Sequence, residues 1–271
     1  MKKISFIVIL VFLFTQMFSL SVQAKTMNYG VFIGLDSSNI NKLIGFDEVV
    51  IDATYYTKSE INYLHKNGIK VYSYINIGSI ENFRPYYNEF DDITLGNYEN
   101  WDDEKWMDVS SSEWRCYVVN VLAKNLIGKG VDGFFLDNLD VYTEYKNDAI
   151  FNGILDILNR LNSSYKKPII SNGGYDFFIK AINTNLDICK LVYGVNTESV
   201  YTTVDFSTNT FKQRPVKDRN YALEYLNSLK AKGLNIFVIE YTKNATLKKT
   251  ITDRYEKLGF SYYISSSLNL N

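Results

Sequence analysis

Short apolar runs alternate along the chain with longer segments in which apolar residues recur every three or four positions. Eight of the apolar runs predict strands, at residues 31–34, 48–52, 70–75, 132–136, 168–171, 188–194, 235–240 and 260–264. The segments between most of them predict helices, near residues 59–67, 112–128, 147–163, 175–183, 219–232 and 245–257. Strands and helices therefore alternate through one domain, residues 25–271.

Several predicted strands are apolar throughout. Val49–Ile51 and Phe134–Leu136 show no polar alternation, which is typical of parallel strands buried on both faces. Alternating parallel strands and helices predict a (β/α)8 TIM barrel in the α/β class. An open doubly wound sheet is the alternative, because periodicity does not show whether a sheet closes. The lack of a G-x-G-x-x-G turn favours the barrel.

Local signals mark several helix ends. Glycines at four helix-to-strand junctions are expected to end the helices in the left-handed conformation: Gly68, Gly130, Gly233 and Gly259. Two helices are expected to begin with capping boxes, at Thr57 with Glu60 and at Ser110 with Glu113. The repeated junction indicates a repeating strand and helix unit.

The first 24 residues differ from the rest of the chain. Lys2 and Lys3 precede a mainly apolar stretch, and Val22-Gln23-Ala24 has the small-residue pattern of a cleavage site. The pattern predicts a signal peptide over residues 1–24, cleaved after Ala24, and a secreted protein that does not contact the membrane after cleavage. Its removal leaves about the 250 residues that are typical of one barrel.

Charge and rare residue types exclude several classes of protein. The chain has a formal net charge of −1 and so lacks the surplus of basic residues that is typical of a nucleic-acid-binding protein. Cys116 and Cys189 fall in a predicted helix and a predicted strand, and both are expected to be buried free thiols. The one histidine, His65, falls on the polar side of a helix and is expected to be solvated. A Ser-His-Asp triad or a zinc site is poorly supported, and no cofactor or metal is expected.

Polar residues follow the predicted strands at their carboxyl ends, where barrel enzymes carry their active sites. The candidates are Asp52 after strand two, Tyr74 and Asn76 at strand three, Asp137 and Asp140 after strand four, Asn172 after strand five, Glu198 after strand six, and Glu240 and Tyr241 at strand seven. These side chains are expected to converge on one mouth and to bind the substrate.

Elimination leaves carboxylate chemistry. Two carboxylates across a pocket are what glycoside hydrolysis requires, since one protonates the leaving oxygen and the other attacks the sugar or activates water. The same pair could instead hold calcium or cap a loop. A polysaccharide deacetylase normally needs a histidine-rich metal site, which a chain with one histidine does not provide.

The loop residues suggest a kind of substrate. Five aromatic residues in predicted mouth loops could stack on sugar faces: Tyr86, Tyr87, Trp101, Trp106 and Tyr142. The segment from Glu81 to Asp108 is strongly acidic, with only Arg84 and Lys105 as basic residues. An acidic rim would attract a cationic, partly deacetylated amino-sugar polymer, whereas the alternative is a solvated loop.

Four segments together resemble glycoside hydrolase family 114, the endo-α-1,4-polygalactosaminidases. They are Tyr72-Ser-Tyr-Ile-Asn-Ile-Gly-Ser79, Asn97-Tyr-Glu-Asn-Trp-Asp102, Gly130-Val-Asp-Gly-Phe-Phe-Leu-Asp-Asn-Leu-Asp140 and Asn196-Thr-Glu-Ser199. The resemblance covers nearly all of the chain after the signal peptide. It implies a barrel, an α-linked galactosamine polymer as substrate and Asp137 and Glu198 as the catalytic pair. It also implies a sugar subsite lined by Asp52, Tyr74 and Asn172.

Roles within the pair follow from position and analogy. Asp137 at a rigid strand end is expected to be the nucleophile, and Glu198 beyond strand six the acid/base, as in the similar α-galactosidase barrels that retain configuration. A retaining pair lies roughly 5 to 5.5 Å apart and an inverting pair roughly 6.5 to 9.5 Å. Glu240 is the rival partner. A monomer acting on polysaccharide is expected, and the alternative function is a carbohydrate-binding barrel without turnover.

Overall fold

The computed structural model describes residues 28–208 and 210–271, so the expected signal peptide and its cleavage after Ala24 lie outside the described residues. Thirteen strands are formed by the described residues. They are Tyr29–Phe32 (β1), Glu48–Ile51 (β2), Lys70–Asn76 (β3), Ser79–Glu81 (β4), Thr94–Asn97 (β5), Glu104–Met107 (β6), Gly133–Asp137 (β7), Ile169–Asn172 (β8), Gly194–Glu198 (β9), Thr202–Asp205 (β10), Thr210–Gln213 (β11), Asn235–Tyr241 (β12) and Ser261–Ser265 (β13).

Eight strands run parallel in the order β1-β2-β3-β7-β8-β9-β12-β13. The register places Asn76 opposite Asp137 at the carboxyl ends of β3 and β7. The first and last strands lie side by side, with the ring centroids of Phe32 and Tyr263 5.0 Å apart. The ring is therefore nearly closed, which confirms the (β/α)8 barrel and shows that the open doubly wound sheet is wrong.

Helices pack between the strands and surround the barrel. They are Lys58–Lys66 (α1), Tyr87–Phe90 (α2), Ser112–Tyr117 (α3), Lys124–Lys129 (α4), Val141–Glu144 (α5), Asp148–Tyr165 (α6), Tyr175–Asn183 (α7), Ile188–Leu191 (α8), Val216–Ala231 (α9) and Ala245–Leu258 (α10). A π-helical segment, Val118–Ala123, joins α3 to α4, so the helix predicted near residues 112–128 is continuous. No helix in the described ranges is long and apolar enough to cross a membrane.

Side chains along the strands alternate between two hydrophobic clusters. One cluster fills the lumen: Tyr29, Val31, Val50, Tyr72, Tyr74, Phe135, Ile170, Phe237, Ile239, Tyr241 and Leu270. The other lies between the barrel and the helices and includes Val71 and Ile75 of β3. Because successive strand residues point to opposite faces, Asn76 shares the lumen side with Tyr72 and Tyr74.

Two inserted β-elements rise from the carboxyl-terminal face, the mouth of the barrel. β4, β6 and β5 form an antiparallel sheet after β3, here called the first insert, and β10 and β11 form a hairpin after β9, here called the second insert. In the first insert, the Tyr98 hydroxyl donates to Asn138 Oδ1 at 3.1 Å. In the second, Phe211 stacks on Tyr241 with ring centroids 5.7 Å apart. Both inserts therefore reach over the mouth.

All four junction glycines have the left-handed backbone expected of them. Their φ angles are +79° at Gly68, +100° at Gly130, +105° at Gly233 and +62° at Gly259. Residues with a Cβ enter this region only with strain, so each glycine can end its helix and turn the chain into the next strand.

The two capping boxes have different outcomes. The box at Thr57 and Glu60 is present, with both reciprocal hydrogen bonds. The box at Ser110 and Glu113 is wrong, because Ser111 is the residue whose side chain caps α3. The neighbouring serines offer the same hydroxyl, and the turn before the helix selects between them.

The sixth barrel strand begins only at the last residue of its predicted range, 188–194. Ile188–Leu191 form the short helix α8 and the strand runs from Gly194 to Glu198, because a short apolar run suits a buried helical turn as well as a strand. Cys189 therefore lies in a helix. Cys189 and Cys116 are free but exposed, so their expected burial is wrong.

His65 lies at the base of the barrel, the amino-terminal end of the strands. It is half-buried, and its Nε2 lies 2.8 Å from Asp132 Oδ2, so it is not the simply solvated residue expected. Asp132 precedes β7 and also accepts from the Val71 N–H at 2.8 Å. The histidine is far from the mouth, as expected.

Candidate active site

Three neighbouring strands end in the polar residues that form the centre of the mouth. Asp137 ends β7, Asn172 ends β8 and Glu198 ends β9. Asn172 Nδ2 donates to Asp137 Oδ1 at 2.8 Å and to Glu198 Oε1 at 2.9 Å. One nitrogen thus bridges both carboxylates, and the two accepting oxygens can be no farther apart than the sum of these two lengths.

Asp137 is half-buried and held from two sides. Besides the bond from Asn172, its Oδ1 accepts from the backbone N–H of Asn138 at 2.9 Å, and Asn138 has a left-handed backbone with φ of +62°. Burial, together with the charge of Glu198, raises the pKa of Asp137 to about 7, although the bond from Asn172 opposes the shift. Asp137 can therefore exchange a proton near neutral pH.

Glu198 is exposed at the end of its strand. Its Oε2 accepts from the hydroxyl of Tyr241 at 2.6 Å, so both of its oxygens have a donor. Burial, followed by the charge of Glu198, raises the pKa of Tyr241 well above its usual value, which keeps that hydroxyl protonated. Glu198 is oriented by neutral donors and remains open to water.

A chain of amides orients Asn172 from inside the lumen. Asn196 Nδ2 donates to Asn172 Oδ1 at 2.6 Å, and Asn196 Oδ1 lies 3.4 Å from the Tyr29 hydroxyl that donates to it. Because an ionised carboxylate only accepts, the NH2 group of Asn172 must face the pair and its oxygen must face Asn196. Asn196 is fully buried, so this orientation is protected from competing water.

A third carboxylate, Glu104 of β6, reaches the same mouth. Its Oε2 accepts from Ser79 Oγ and from Asn76 Nδ2, the latter at 3.3 Å. Asn138 Nδ2 donates to Ser79 Oγ at 2.8 Å, which connects this cluster to the residue after Asp137. The expected mouth residue Asn76 thus serves as a link between β3 and the first insert.

The charge state of Glu104 also responds to the mouth. Burial raises its pKa to about 7, the Ser79 hydroxyl opposes the shift, and the charges of Glu81 and Asp137 add to it. The described part of the chain places no lysine or arginine within salt-bridge distance of Glu104, Asp137 or Glu198. Three carboxylates therefore share one mouth with only neutral donors.

Tyr74 and Asp52, both expected to contact the sugar, lie beside a buried ion-pair cluster. Arg84 donates to Asp52 Oδ2 at 2.7 Å and to Glu81 Oε1 at 2.8 Å, and all three residues are buried. Tyr74 faces the lumen and its hydroxyl lies 3.3 Å from Glu81 Oε1, to which it donates. Asp52 is thus neutralised by Arg84, which argues against a direct role for Asp52 in binding a cationic sugar.

Neither Asp140 nor Glu240 shares a hydrogen bond with the carboxylate pair in the described part of the chain. Asp140 Oδ1 accepts from the backbone N–H of Gly174 at 3.0 Å and supports the turn after β8. Glu240 is fully buried on the outer face of β12, where it accepts from the N–H groups of Tyr201 at 2.7 Å and Thr202 at 3.0 Å. Glu240 was expected to contact substrate and to rival Glu198, and the structure places its oxygens outside the lumen, where other donors occupy them.

The rim of the mouth is acidic and partly aromatic. In the first insert, the exposed acids are Glu89, Asp92, Glu99, Asp102 and Asp103. Of the five aromatic residues expected at the mouth, only Trp101 is exposed, Tyr87 is half-buried, and Tyr86, Trp106 and Tyr142 are buried. Across residues 28–208 and 210–271, no group of three or more His, Cys, Asp or Glu side chains is arranged to hold a metal ion.

Sequence reasoning missed Glu104, Asn138 and Asn196 as members of the site. Glu104 belongs to the first insert, and only the antiparallel pairing of β4 with β6 places it at the mouth. Asn196 lies in the short segment Asn196–Ser199 that contributes to the family resemblance, but the predicted strand ended at residue 194 and so did not place Asn196 in the lumen. Asn138 had one available signal: it directly follows the strand-four aspartate in the motif that carries the family resemblance.

A (β/α)8 barrel whose mouth holds two carboxylates bridged by one amide has the architecture of a glycoside hydrolase. Residues 17–270 match glycoside-hydrolase family GH114, and the chain belongs to that family. The resemblance seen in the sequence is therefore confirmed. A protein of Thermotoga maritima, described only as uncharacterized, is 24% identical over 242 residues, which cover 79% of this chain and 71% of that protein.

Solved structures show the same fold at low sequence identity. The glycoside hydrolase domain of PelA from Pseudomonas aeruginosa is 19% identical, with a TM-score of 0.76 over 90% of this chain and 95% of that chain. Ega3 of Aspergillus fumigatus, solved in complex with galactosamine, is 21% identical, with a TM-score of 0.69 over 91% of this chain and 93% of that chain. The barrel is thus shared across bacterial and fungal proteins.

Proposed function

We propose that this protein is secreted and hydrolyses an α-1,4-linked galactosamine-containing polysaccharide by a two-carboxylate mechanism that retains configuration. The observation that carries the mechanism is the Asn172 nitrogen, which donates to Asp137 and Glu198 at once. The lengths of these two bonds limit the distance between the two accepting oxygens, Asp137 Oδ1 and Glu198 Oε1, to less than the roughly 6.5 Å at which inverting pairs begin, which supports a retaining pair. A pair this close leaves too little room for a water molecule between carboxylate and sugar.

Position and mobility support the division of roles. Asp137 is fixed by Asn172 and by the N–H of Asn138, as a nucleophile must be, because displacement tolerates little misplacement. It attacks the anomeric carbon while Glu198 protonates the leaving glycosidic oxygen. Glu198, exposed to water, then removes a proton from the water that hydrolyses the glycosyl ester. Tyr241 holds Glu198 through both steps.

The raised pKa of Asp137 fits a cationic substrate. A nucleophile must be ionised when it attacks, yet burial and Glu198 hold the pKa of Asp137 at about 7 in the free protein. An ammonium group nearby favours the charged carboxylate and lowers its pKa. Binding of a galactosamine unit would thus help to generate the reactive form, which an acetylated, neutral unit would not do.

The acidic mouth supports the same substrate class. Glu104 has one oxygen held by Ser79 and Asn76, and no described residue donates to the other, which leaves an acceptor for a substrate ammonium. The exposed acids of the first insert extend the negative field outward, where it raises the local concentration of a polycation. The galactosamine seen bound to Ega3 agrees with this choice.

The proposed activity is tested by incubating the protein from Lys25 onward with α-1,4-galactosamine polymers of graded acetylation and sizing the products. We expect release of oligosaccharides, fastest from the least acetylated polymer. Proton NMR of the first product should show the α anomer. A β product would reject retention, and binding without release would leave the barrel as a carbohydrate-binding protein.

Azide separates the two roles. With an aryl α-glycoside, Glu198→Ala should form an α-glycosyl azide, because azide replaces water in attacking the β-linked glycosyl ester. Asp137→Gly should form the β-azide by direct displacement. The opposite pattern would exchange the roles. Asp103→Asn, an equal change of charge at an exposed rim position, is the matched control and should behave as the unaltered protein.

Secretion is tested separately. The mass of the protein recovered outside the expressing cells should correspond to a chain that begins at Lys25. A retained amino terminus would reject cleavage after Ala24 without bearing on the chemistry of the mouth.

A further inference from the structure

The two inserts meet above the barrel at an aromatic pair, Trp101 and Phe206. Trp101 lies in the loop between β5 and β6, and Phe206 directly follows β10. Their ring centroids are 6.2 Å apart and the ring planes are inclined by 73°, an edge-to-face contact. More than 100 positions of sequence separate the two rings, so the contact depends on how the inserts are placed on the barrel.

The order of the strands shows what this contact spans. The first insert follows β3 and the second follows β9, and β7 and β8 lie between those two strands in the barrel. A contact between the inserts therefore passes over the ends of β7 and β8, which carry Asp137 and Asn172. Tyr98, bonded to Asn138, and Phe211, stacked on Tyr241, tie each insert to the mouth.

Both rings keep large apolar surfaces in water. Trp101 is 38% exposed and Phe206 is 44% exposed, whereas Trp106, in the same insert as Trp101, is buried against Tyr98 with ring centroids 4.0 Å apart. The pair thus does not complete a hydrophobic core. Trp101 is followed directly by the exposed acids Asp102 and Asp103. Exposed aromatic faces and nearby carboxylates match the two surfaces of an amino-sugar polymer, its apolar ring faces and its ammonium groups.

We propose that Trp101 and Phe206 form a clamp that holds the polysaccharide across the catalytic pair and must part to admit an internal segment of the chain. The proposal rests on the proposed function, because it requires a polymeric substrate. A polymer enclosed beneath the clamp is not released after one cleavage. The protein should therefore make several cuts per encounter with a polymer, while a short substrate enters without using the clamp.

The first test compares Trp101→Ala and Phe206→Ala with the unaltered protein on polymer and on a short aryl glycoside. Loss of one stacking partner should raise KM for the polymer about 2- to 10-fold and lower the number of cuts per encounter. Turnover of the aryl glycoside should stay within about twofold, since the catalytic residues are untouched. Tyr193→Ala is the matched control, because Tyr193 is 37% exposed and contacts Phe237 with centroids 6.3 Å apart, but precedes β9 at the opposite end of the barrel.

The second test uses fluorescence. Of the three tryptophans, Trp101 is the exposed one, since Trp106 and Trp114 are buried, so quenching by acrylamide reports mainly on Trp101. In Asp137→Asn, which should bind without cleaving, added polymer should protect this fluorescence from quenching. The clamp would be overturned if acrylamide quenched the fluorescence equally well with and without bound polymer. It would also be overturned if the Trp101→Ala and Phe206→Ala variants kept the KM for the polymer and the number of cuts per encounter of the unaltered protein. A protein inactive on both substrates would instead reject the proposed function.

Discussion

The two ends of the barrel both carry acidic side chains, but the groups that face these acids differ. At the base, Lys70 Nζ lies 3.1 Å from Glu48 Oε1, and His65 Nε2 lies 2.8 Å from Asp132 Oδ2. At the mouth, Asp137, Glu198 and Glu104 are held by amides and hydroxyls alone. Within the described residues, Glu48 and Asp132 at the base have basic partners, whereas these three acids of the mouth have none.

The difference separates structural acids from reactive ones. A partner of opposite sign favours the charged form of an acid, as Lys70 does for Glu48, where it opposes the burial that raises the pKa of that carboxyl. Neutral donors orient a carboxylate without cancelling its charge. Burial, which these donors oppose, raises the pKa of Asp137 and of Glu104 to about 7, so both can respond to a substrate. Asp52 lies near the mouth, but it resembles the acids at the amino-terminal end of the barrel because it has a basic partner, Arg84.

The largest expected effect is at the pair itself. Asp137→Asn and Glu198→Gln should each lower kcat by about 10²- to 10⁴-fold or more, because each removes a group that forms or breaks a bond or carries the proton. Initial rates on a galactosamine polymer measure the loss, and circular dichroism checks the fold. A Glu198→Gln variant with full turnover would show that Glu198 takes no part in the mechanism. The distinction between structural acids at the base and reactive acids at the mouth would then not hold for Glu198.

Asn172→Ala should have the next largest effect. Without the bridging N–H groups, two like charges face each other unscreened, and kcat should fall about 10- to 100-fold, the loss expected for a hydrogen bond to a charged group. The bond from Asn172 lowers the pKa of Asp137, so its removal raises that pKa. If Asp137 must be ionised, the acidic limb of kcat/KM against pH then moves to higher pH.

The shift of the acidic limb distinguishes this role from simple loss of packing. Asn196→Ala, which disturbs Asn172 only indirectly, should shift the limb in the same direction by less. A uniform loss of rate in Asn172→Ala with no movement of the limb would show that the bridge positions the substrate and does not tune the carboxylates.

Glu104→Gln should have a smaller and selective effect. The amide keeps the shape of the side chain but removes the charge available to an ammonium group, so KM for deacetylated oligomers should rise about 3- to 10-fold. KM for fully acetylated oligomers should not change. Asp103→Asn controls for the rim field, since Asp103 is adjacent in sequence and exposed. Equal losses on both substrates would indicate that Glu104 only braces Ser79 and Asn76.

The residues at the ends of the predicted strands include much of the mouth, because the carboxyl ends of parallel strands lie at one face of a barrel. Asp137, Asn172, Glu198 and Tyr241 all meet there. Glu240 does not reach the mouth, although Tyr241 does, because neighbouring strand positions point to opposite faces. The largely apolar sequence of β12 does not show which of its positions face the lumen.

Other parts of the site depend on contacts that local sequence patterns do not encode. Glu104 reaches the mouth through the pairing of Ser79 with Trp106 and of Glu81 with Glu104 in the first insert. The neutralisation of Asp52 depends on Arg84, which is 32 positions away in sequence. Such long-range pairings are set by tertiary packing, so periodicity predicted the barrel but not the partners of its acids.

The smallest expected effects concern stability, and they should have opposite signs at the two ends. Asp132 at the base accepts from His65 and from the Val71 N–H, both at 2.8 Å, so Asp132→Asn should lower the free energy of unfolding by about 1 to 3 kcal/mol. Urea unfolding measures the change. Turnover should stay within about twofold, because the substitution lies at the opposite end from the mouth.

Asp137→Asn at the mouth should instead stabilise the protein, and the sign depends on pH. The pKa of Asp137 is raised from 3.8 to about 7 on folding, so the folded chain binds this proton more tightly than the unfolded chain. The stability that this group contributes is fully present below its pKa in the unfolded chain. It declines as pH rises toward 7, because the unfolded chain has then lost the proton that the folded chain still holds.

Asparagine has no such proton to lose. The variant should therefore unfold at a higher urea concentration than the unaltered protein at pH 8, with the difference shrinking toward pH 4. A variant less stable than the unaltered protein at pH 8 would show that the hydrogen bonds from Asn172 and Asn138 stabilise the ionised carboxylate by more than its burial destabilises it. Asp137 would then be a stabilising acid, like Asp132 at the base.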